Sequence, residues 1–288
     1  MISNDDVRAQ QRIDFTVATP GWLRHKASFE RASSATTAHM VRLARVSPGD
    51  RVLDLACGSG NPAFALAEAV GPRGRVLGLD LAETMVQAAR DEADRRGAGN
   101  AEFATIERED ELGVADSSFD AATCRAGLQY MPEPGAAIRA IRRALKPGGR
   151  FVALTIGSPD LCMPYRLQAE LISRHAELTA PDPAAPGPVG LSSPEALRER
   201  LGSAGFSDVT VEVLESGLVE SESPSAYWTL FEETAVLPLQ RVLGTADDGH
   251  KRRQEIREDA VRILAERFGD GPVRMTGEVL IAAGVKEE

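Results

Sequence analysis

Cysteine and histidine are scarce in this chain. Its 288 residues include only three cysteines (57, 124 and 162) and four histidines (25, 39, 175 and 250). The cysteines form no CxxC pair and no zinc-ligand spacing, so no metal site is expected. Their odd number suits a reducing compartment better than a disulfide scaffold. Long apolar runs are missing as well, which excludes a membrane span. The opening segment MISNDDVRAQQR is polar and acidic, unlike a signal peptide. A cytoplasmic protein without a membrane partner is the expectation. Basic charge is also short: 33 Lys and Arg against 43 Asp and Glu give a net charge of −10. That balance argues against a nucleic-acid partner, which asks for a basic footprint. The one basic stretch, HKRRQEIR at 250–257, is followed by acids and reads as a solvated helix face.

Apolar residues make up 43% of the chain, enough for a sizeable core. Short, almost purely apolar strands alternate with helical stretches from about residue 51 to residue 156. RVLDLAC, RVLGLD, AEFATI, FDAATCR and RFVALTI read as strands, and PAFALAEAV, AETMVQAARDEADRR and AAIRAIRRAL as helices. Such alternation predicts a doubly wound parallel sheet with both faces covered. Residues 1–33 are polar with scattered aromatics, and a helix is expected through SATTAHMVRLARV. Later, MPYRLQAELISRHAEL looks helical, and TAPDPAAPGPVGL is too proline-rich for regular structure. SSPEALRERLGSAGF has a serine N-cap, a first-turn proline and a stop glycine. SDVTVEVLES and GEVLIAAGV read as the last two strands, with a mainly helical segment, 223–268, between them.

The chemistry concentrates in VLDLACGSGNPA, residues 52–63. A glycine-rich turn straight after a strand commonly cradles a dinucleotide pyrophosphate at a helix N-terminus. Asp54 argues against that, because a carboxylate beside the turn repels phosphate. Asp80 ends the next strand and could accept from two ribose hydroxyls, as a dinucleotide enzyme would also require. Asp80 alone therefore decides nothing.

VLDLACGSG followed by VLGLD and LKPGG resembles the class I S-adenosylmethionine-dependent methyltransferases. FDAATCRAGLQYMPEP, PGPVGLSSPEALRERLGSAGF and RMTGEVLIAAG resemble the branch of C-methyltransferases from ubiquinone and menaquinone biosynthesis. The resemblance covers nearly the whole chain. It implies a mostly parallel, seven-stranded Rossmann-like sheet with a helical lid inserted between the last two strands. The division is then an N-terminal lid (1–33), a cofactor-binding core (34–222), an inserted lid (223–268) and a final strand (269–288).

The implied cofactor, S-adenosylmethionine, carries an ammonium and no phosphate, which makes Asp54 acceptable as its partner. Gly58 and Gly60 let the backbone approach it, with Ala56 the further small residue and Ser59 at a position that contacts the methionyl end in relatives. Asp80 matches the ribose ligand. Glu107 matches the residue that bonds the adenine amino group, with Ile106 packing on the ring. Glu109 is a possible substitute, and the acidic run EREDE is otherwise an exposed loop. Arg125 matches a position whose backbone contacts the methionyl end. Leu81 and Met85 either flank the adenine or pack their own helix.

Methyl transfer is an in-line displacement that depends mainly on alignment. Gln129 is a candidate to face the reacting group. His25, beside Trp22 in PGWLRHK, is the candidate general base, against the alternative of a surface histidine without a role. Tyr130 is a lesser candidate. NPPY-type signatures for amide or adenine nitrogens are missing after strand four, where CRAGL stands. The resemblance favours carbon methylation of a small phenolic or indolic ring. Oxygen or nitrogen methylation, and a cofactor-binding cyclase or binding module without transfer, are the alternatives.

Overall fold

The computed structural model describes residues 3–175, 186–188, 190–234 and 249–287. Most of the proline-rich stretch 179–191 lies outside them, as does the middle of the inserted segment, 235–248.

Seven strands form one sheet: β1 (Arg51–Leu55), β2 (Arg75–Asp80), β3 (Ala101–Thr105), β4 (Phe119–Arg125), β5 (Leu145–Ile156), β6 (Ser207–Ser221) and β7 (Val273–Val285). Their order is β3-β2-β1-β4-β5-β7-β6. The first five run parallel, and β7 is antiparallel to both β5 and β6. The expected mostly parallel, seven-stranded sheet is therefore present. Its last two strands are longer than their sequence cores suggest. β6 alternates between half-buried and exposed positions along most of its length, as an edge strand does.

Helices cover both faces. On one side α3 (Ser34–Ala44), α4 (Ala63–Val70) and α5 (Glu83–Arg96) pack Met40, Leu66, Val86 and Ala89 against Val52, Val76 and Val152. On the other, α6 (Pro134–Ala144) and α8 (Pro194–Ser203) pack Ile138, Ile141, Leu197 and Leu201 against Leu53, Phe151 and Leu280. The caps expected for SSPEALRERLGSAGF are in place: Ser193 accepts from the Ala196 amide at 3.2 Å, Pro194 opens α8, and Gly205, at φ 90°, follows the C-cap Ala204.

The inserted segment forms α9 (Pro224–Thr234) and α10 (Gly249–Phe268). With α7 (Met163–His175) they build a third core around Trp228, Tyr227, Leu171 and Ile263, closed by Val273 and Met275 of β7. Residues 250–257 fall in α10, where 251–255 are exposed and Ile256 is buried. The N-terminal 33 residues are helical: α1 (Asn4–Arg24) and α2 (Lys26–Ala32). Among the described residues no helix is long and apolar enough to cross a membrane.

Candidate functional site

The glycine turn joins β1 to α4 at the C-terminal edge of the parallel strands, where such sheets bind ligands. Ala56, Gly58 and Gly60 all adopt positive φ, at 58°, 51° and 102°. Ala56 carries a Cβ there and so holds an uncommon conformation. A Cβ added at Gly60 would lie 2.1 Å from the Phe64 ring, so the turn itself needs that glycine. A Cβ at Gly58 would meet nothing within 4 Å and would project into open space.

Asp80, at the end of β2, braces this turn. Its Oδ2 accepts from the Gly58 amide at 2.8 Å and its Oδ1 from the Ala82 amide at 3.0 Å. Each oxygen retains a further lone pair for a ligand hydroxyl. Burial raises its pKa, and the backbone donors offset that in part. Leu81 beside it is half-buried, and Met85, one turn into α5, is buried.

Asp54 is fully buried. Its Oδ1 accepts from the Thr123 hydroxyl at 2.7 Å, across the β1–β4 pairing. Its Oδ2 has no hydrogen-bond partner. Burial pushes its pKa up to about 7, the Thr123 bond pulls it down, and Asp80 raises it again. Arg125, at the end of β4, donates from Nη2 to Ser33 Oγ at 2.8 Å, while its buried Nε is unpaired. Gln129 follows on the 3-10 turn Leu128–Tyr130 and is 2% exposed. Its Oε1 is unpaired, and it helps line a cavity of about 310 Å³ bounded by Met131, Glu133, Arg139, Leu191 and Arg200.

α1 packs against α5 and α9 and bonds the segments that follow β3 and β4. Arg8 is 4% exposed and binds both oxygens of the buried Glu109, at 2.7 and 2.9 Å, and Glu133 at 2.9 Å. Glu109 also accepts from the Glu133 amide. Its carboxylate is thus committed to the N-terminal helix, which leaves it unsuited to replace Glu107 at an adenine. Glu107 is 84% exposed at the side chain and pairs with Arg12 at 2.9 Å. Ile106 is half-buried, and its amide donates to the Asp80 carbonyl. Gln11 donates to the Tyr130 carbonyl, Phe15 meets the Tyr130 ring edge-on, and Thr19 shares a hydroxyl bond with Thr84 of α5. Burial pushes the Tyr130 phenol up to about 12, which disfavours it as a base.

His25 sits between α1 and α2, with Nε2 2.7 Å from Glu233 Oε2 on α9. Arg24 also donates to Glu233. Lys26 donates from Nζ to the Ser59 carbonyl of the glycine turn at 3.0 Å. The structure thus gathers Asp54, Ala56, Gly58, Ser59, Gly60, Asp80 and Arg125 at the ends of three neighbouring strands. His25 lies in the helical cover above them. Arg8, Lys26, Ser33, Thr123 and Glu233 join them without any signal in the sequence, since their long-range partners lie 33 to 209 residues away.

A methyltransferase-domain family model matches residues 46–185. The chain is 40% identical over 121 residues to a 2-phytyl-1,4-naphtoquinone methyltransferase of Synechococcus elongatus, covering 41% of this chain and 51% of that one. The chain thus spans about half the length of that relative. It is 33% identical over 205 residues to the ubiquinone/menaquinone biosynthesis C-methyltransferase UbiE of Pseudomonas putida, covering 62% of this chain and 73% of that one. Among solved structures, the [4+2]-cyclase SpnF superposes with a TM-score of 0.59 at 22% identity, over 99% of this chain and 97% of that one. The last likeness concerns the fold alone.

Proposed function

We propose that this chain, which belongs to the class I S-adenosylmethionine-dependent methyltransferase family, moves the methyl group of S-adenosylmethionine to a ring carbon of a small electron-rich aromatic acceptor. A phenol or hydroquinone ring fits best, because the named relatives are quinone methyltransferases. The observation that carries the reading is Asp54 Oδ2, a buried carboxylate oxygen without a partner beside an open glycine turn. Phosphate would be repelled there, whereas an ammonium would satisfy it.

When bound, the cofactor supplies an electrophilic methyl on its sulfonium. Asp80 would accept from the ribose diol with the lone pairs its backbone bonds leave free. Gly58 offers space for the cofactor's approach. Ile106, Leu81 and Met85 would flank the adenine, with Glu107 bonding its amino group once Arg12 releases it. Ala56 and Ser59 would contact the methionyl end. Carbon methylation forms one C–C bond, breaks one S–C bond and releases one ring proton. Gln129 has no titratable proton, so it would hold an acceptor hydroxyl through Oε1. His25 is oriented by Glu233 through Nε2, which makes Nδ1 the atom to take a proton. The covers, 1–33 and 223–268, would exclude water while the methyl moves.

The test is incubation with methyl-labelled S-adenosylmethionine and a panel of phenols, hydroquinones and indoles. Release of S-adenosylhomocysteine and a ring-bound methyl in the NMR spectrum of the product are expected. Label on oxygen or nitrogen would move the reaction to the alternative class. Cofactor binding without S-adenosylhomocysteine release from any acceptor would reject methyl transfer.

A further inference from the structure

We infer that the cavity beside Gln129 seats a single aromatic ring with a hydroxyl at its buried end and a carboxylate at its open end, the acid being read by Arg139 and Arg200. This rests on the acceptor reading above and narrows it from phenols in general to hydroxyaryl carboxylates.

Three observations carry it. The first is the graded lining of one cavity. Leu128, Gln129 and Leu191 are buried, Met131 is half-buried, and Arg139 and Arg200 are exposed. The inner end is thus apolar around one amide, and the cations stand at the mouth. At about 310 Å³ the cavity is small for a ligand site, which suits one ring. The second lies at the inner end. Gln129 is 2% exposed, and its Oε1 has no partner. Its Nε2 donates to the Pro188 carbonyl at 3.4 Å, and its own carbonyl accepts from the Gly187 amide at 2.9 Å. Thr155 of β5 donates to the Leu191 carbonyl at 2.9 Å, which ties that wall to the sheet. A buried amide oxygen calls for a donor. A phenolic hydroxyl supplies one and a carboxylate does not, so the hydroxyl belongs at this end.

The third is the charge at the mouth. Arg139 folds back along α6: its Nη1 lies 3.5 Å from the place a Cβ on Gly135 would take, over the first turn of the helix. A cation there opposes the positive end of the helix dipole, and the Gly135 amide has no intrahelical acceptor. Glu133, the carboxylate in the lining, is bound to Arg8 at 2.9 Å. Arg142 and Arg143 on the same helix bond the carbonyls of Gly205 and Asp110, whereas the guanidiniums of Arg139 and Arg200 bond no group among the described residues. A carboxylate at the mouth satisfies both cations and the helix end together.

The experiment is calorimetric titration of the full chain, saturated with S-adenosylhomocysteine, with 4-hydroxyphenylacetate, its methyl ester and phenylacetate. The wild type is expected to bind the hydroxy acid about tenfold more tightly than either comparator. With Arg139→Met and Arg200→Met combined, the preference over the ester is expected to fall below about threefold. Arg198→Met, exposed on α8 but outside the lining, is expected to keep it. In Gln129→Leu the preference over phenylacetate is expected to disappear. A wild type that binds the acid and its ester alike overturns the site, whether or not any variant folds. Loss of the preference in Arg198→Met as complete as in the double variant also overturns it, leaving only the general charge of α8. The same ligands are then offered with methyl-labelled S-adenosylmethionine. Release of S-adenosylhomocysteine from neutral phenols without any preference for the acid overturns the site and leaves methyl transfer standing. A preference for the acid in binding, with no release from any acceptor, keeps the site and rejects methyl transfer.

Discussion

A buried aspartate without a full set of partners is a liability to the empty fold. Asp54 has its pKa raised from 3.8 to about 7 by burial. A group whose folded pKa lies above its unfolded value favours the fold while protonated. Its ionisation therefore costs stability as pH climbs from about 4 through about 7. The penalty approaches an upper bound on the order of 4 kcal/mol in alkaline buffer. Asp54→Asn keeps the shape and cannot ionise. The ligand-free variant is expected to melt higher than wild type at about pH 8 and at the same temperature near pH 4. Thermal melts across that range check this. An equal offset at both pH values would show that ionisation of Asp54 is not what burdens the fold. Asp80 makes a contrast: its two backbone bonds support the turn whether or not a ligand is present.

At the level of elements, α1 depends on charge for its seat. Its buried residues are Arg8, Asp14, Ala18, Thr19 and Gly21. Arg8→Met leaves Glu109 buried without its cation, a loss of roughly 3 to 5 kcal/mol. Adding Glu109→Gln removes the stranded charge and is expected to recover more than half of that loss in urea titrations. A double variant as unstable as the single one would show that packing, not charge, seats the helix. The same residues explain why α1 was not legible in the sequence. A helix that buries arginine, aspartate and threonine presents no apolar stripe, and Pro20 with Gly21 looks like a stop although both lie inside the helix. The usable signal was Ser3 with Asp6, which cap each other reciprocally in the structure. The parallel strands were legible for the opposite reason. Strands covered on both faces read as largely apolar runs, as the buried stretches of β1 and β4 do, and the turn after β1 has no room for a side chain at Gly60. Asp54 and Asp80 could be found because Asp54 is the penultimate residue of β1, just before that turn, and Asp80 ends β2. Arg8 and Glu233 could not, because nothing local sets their partners.

Across the whole molecule, two covers that are far apart in sequence meet at one residue. Glu233 of α9 takes Arg24 and His25 from the end of α1, and Lys26 next to them grips the glycine turn. The same helix α1 is pinned at its other end to the loop after β3 and to Glu133. Neither cover can lift far without the other. In kinetic terms, if the proposed covers act as a gate, one built this way would impose a sequence on the visitors. In the proposed reading the nucleoside would lie deepest, against the turn and β2, and the acceptor would come in above it. For the proposed reaction the nucleoside therefore enters first and its demethylated form leaves last. Steady-state product inhibition is expected to be competitive between S-adenosylhomocysteine and S-adenosylmethionine, and noncompetitive between S-adenosylhomocysteine and the acceptor. Glu233→Gln weakens the clasp and is expected to speed departure of the spent nucleoside. A random-order pattern in the wild type would mean that the two covers part independently.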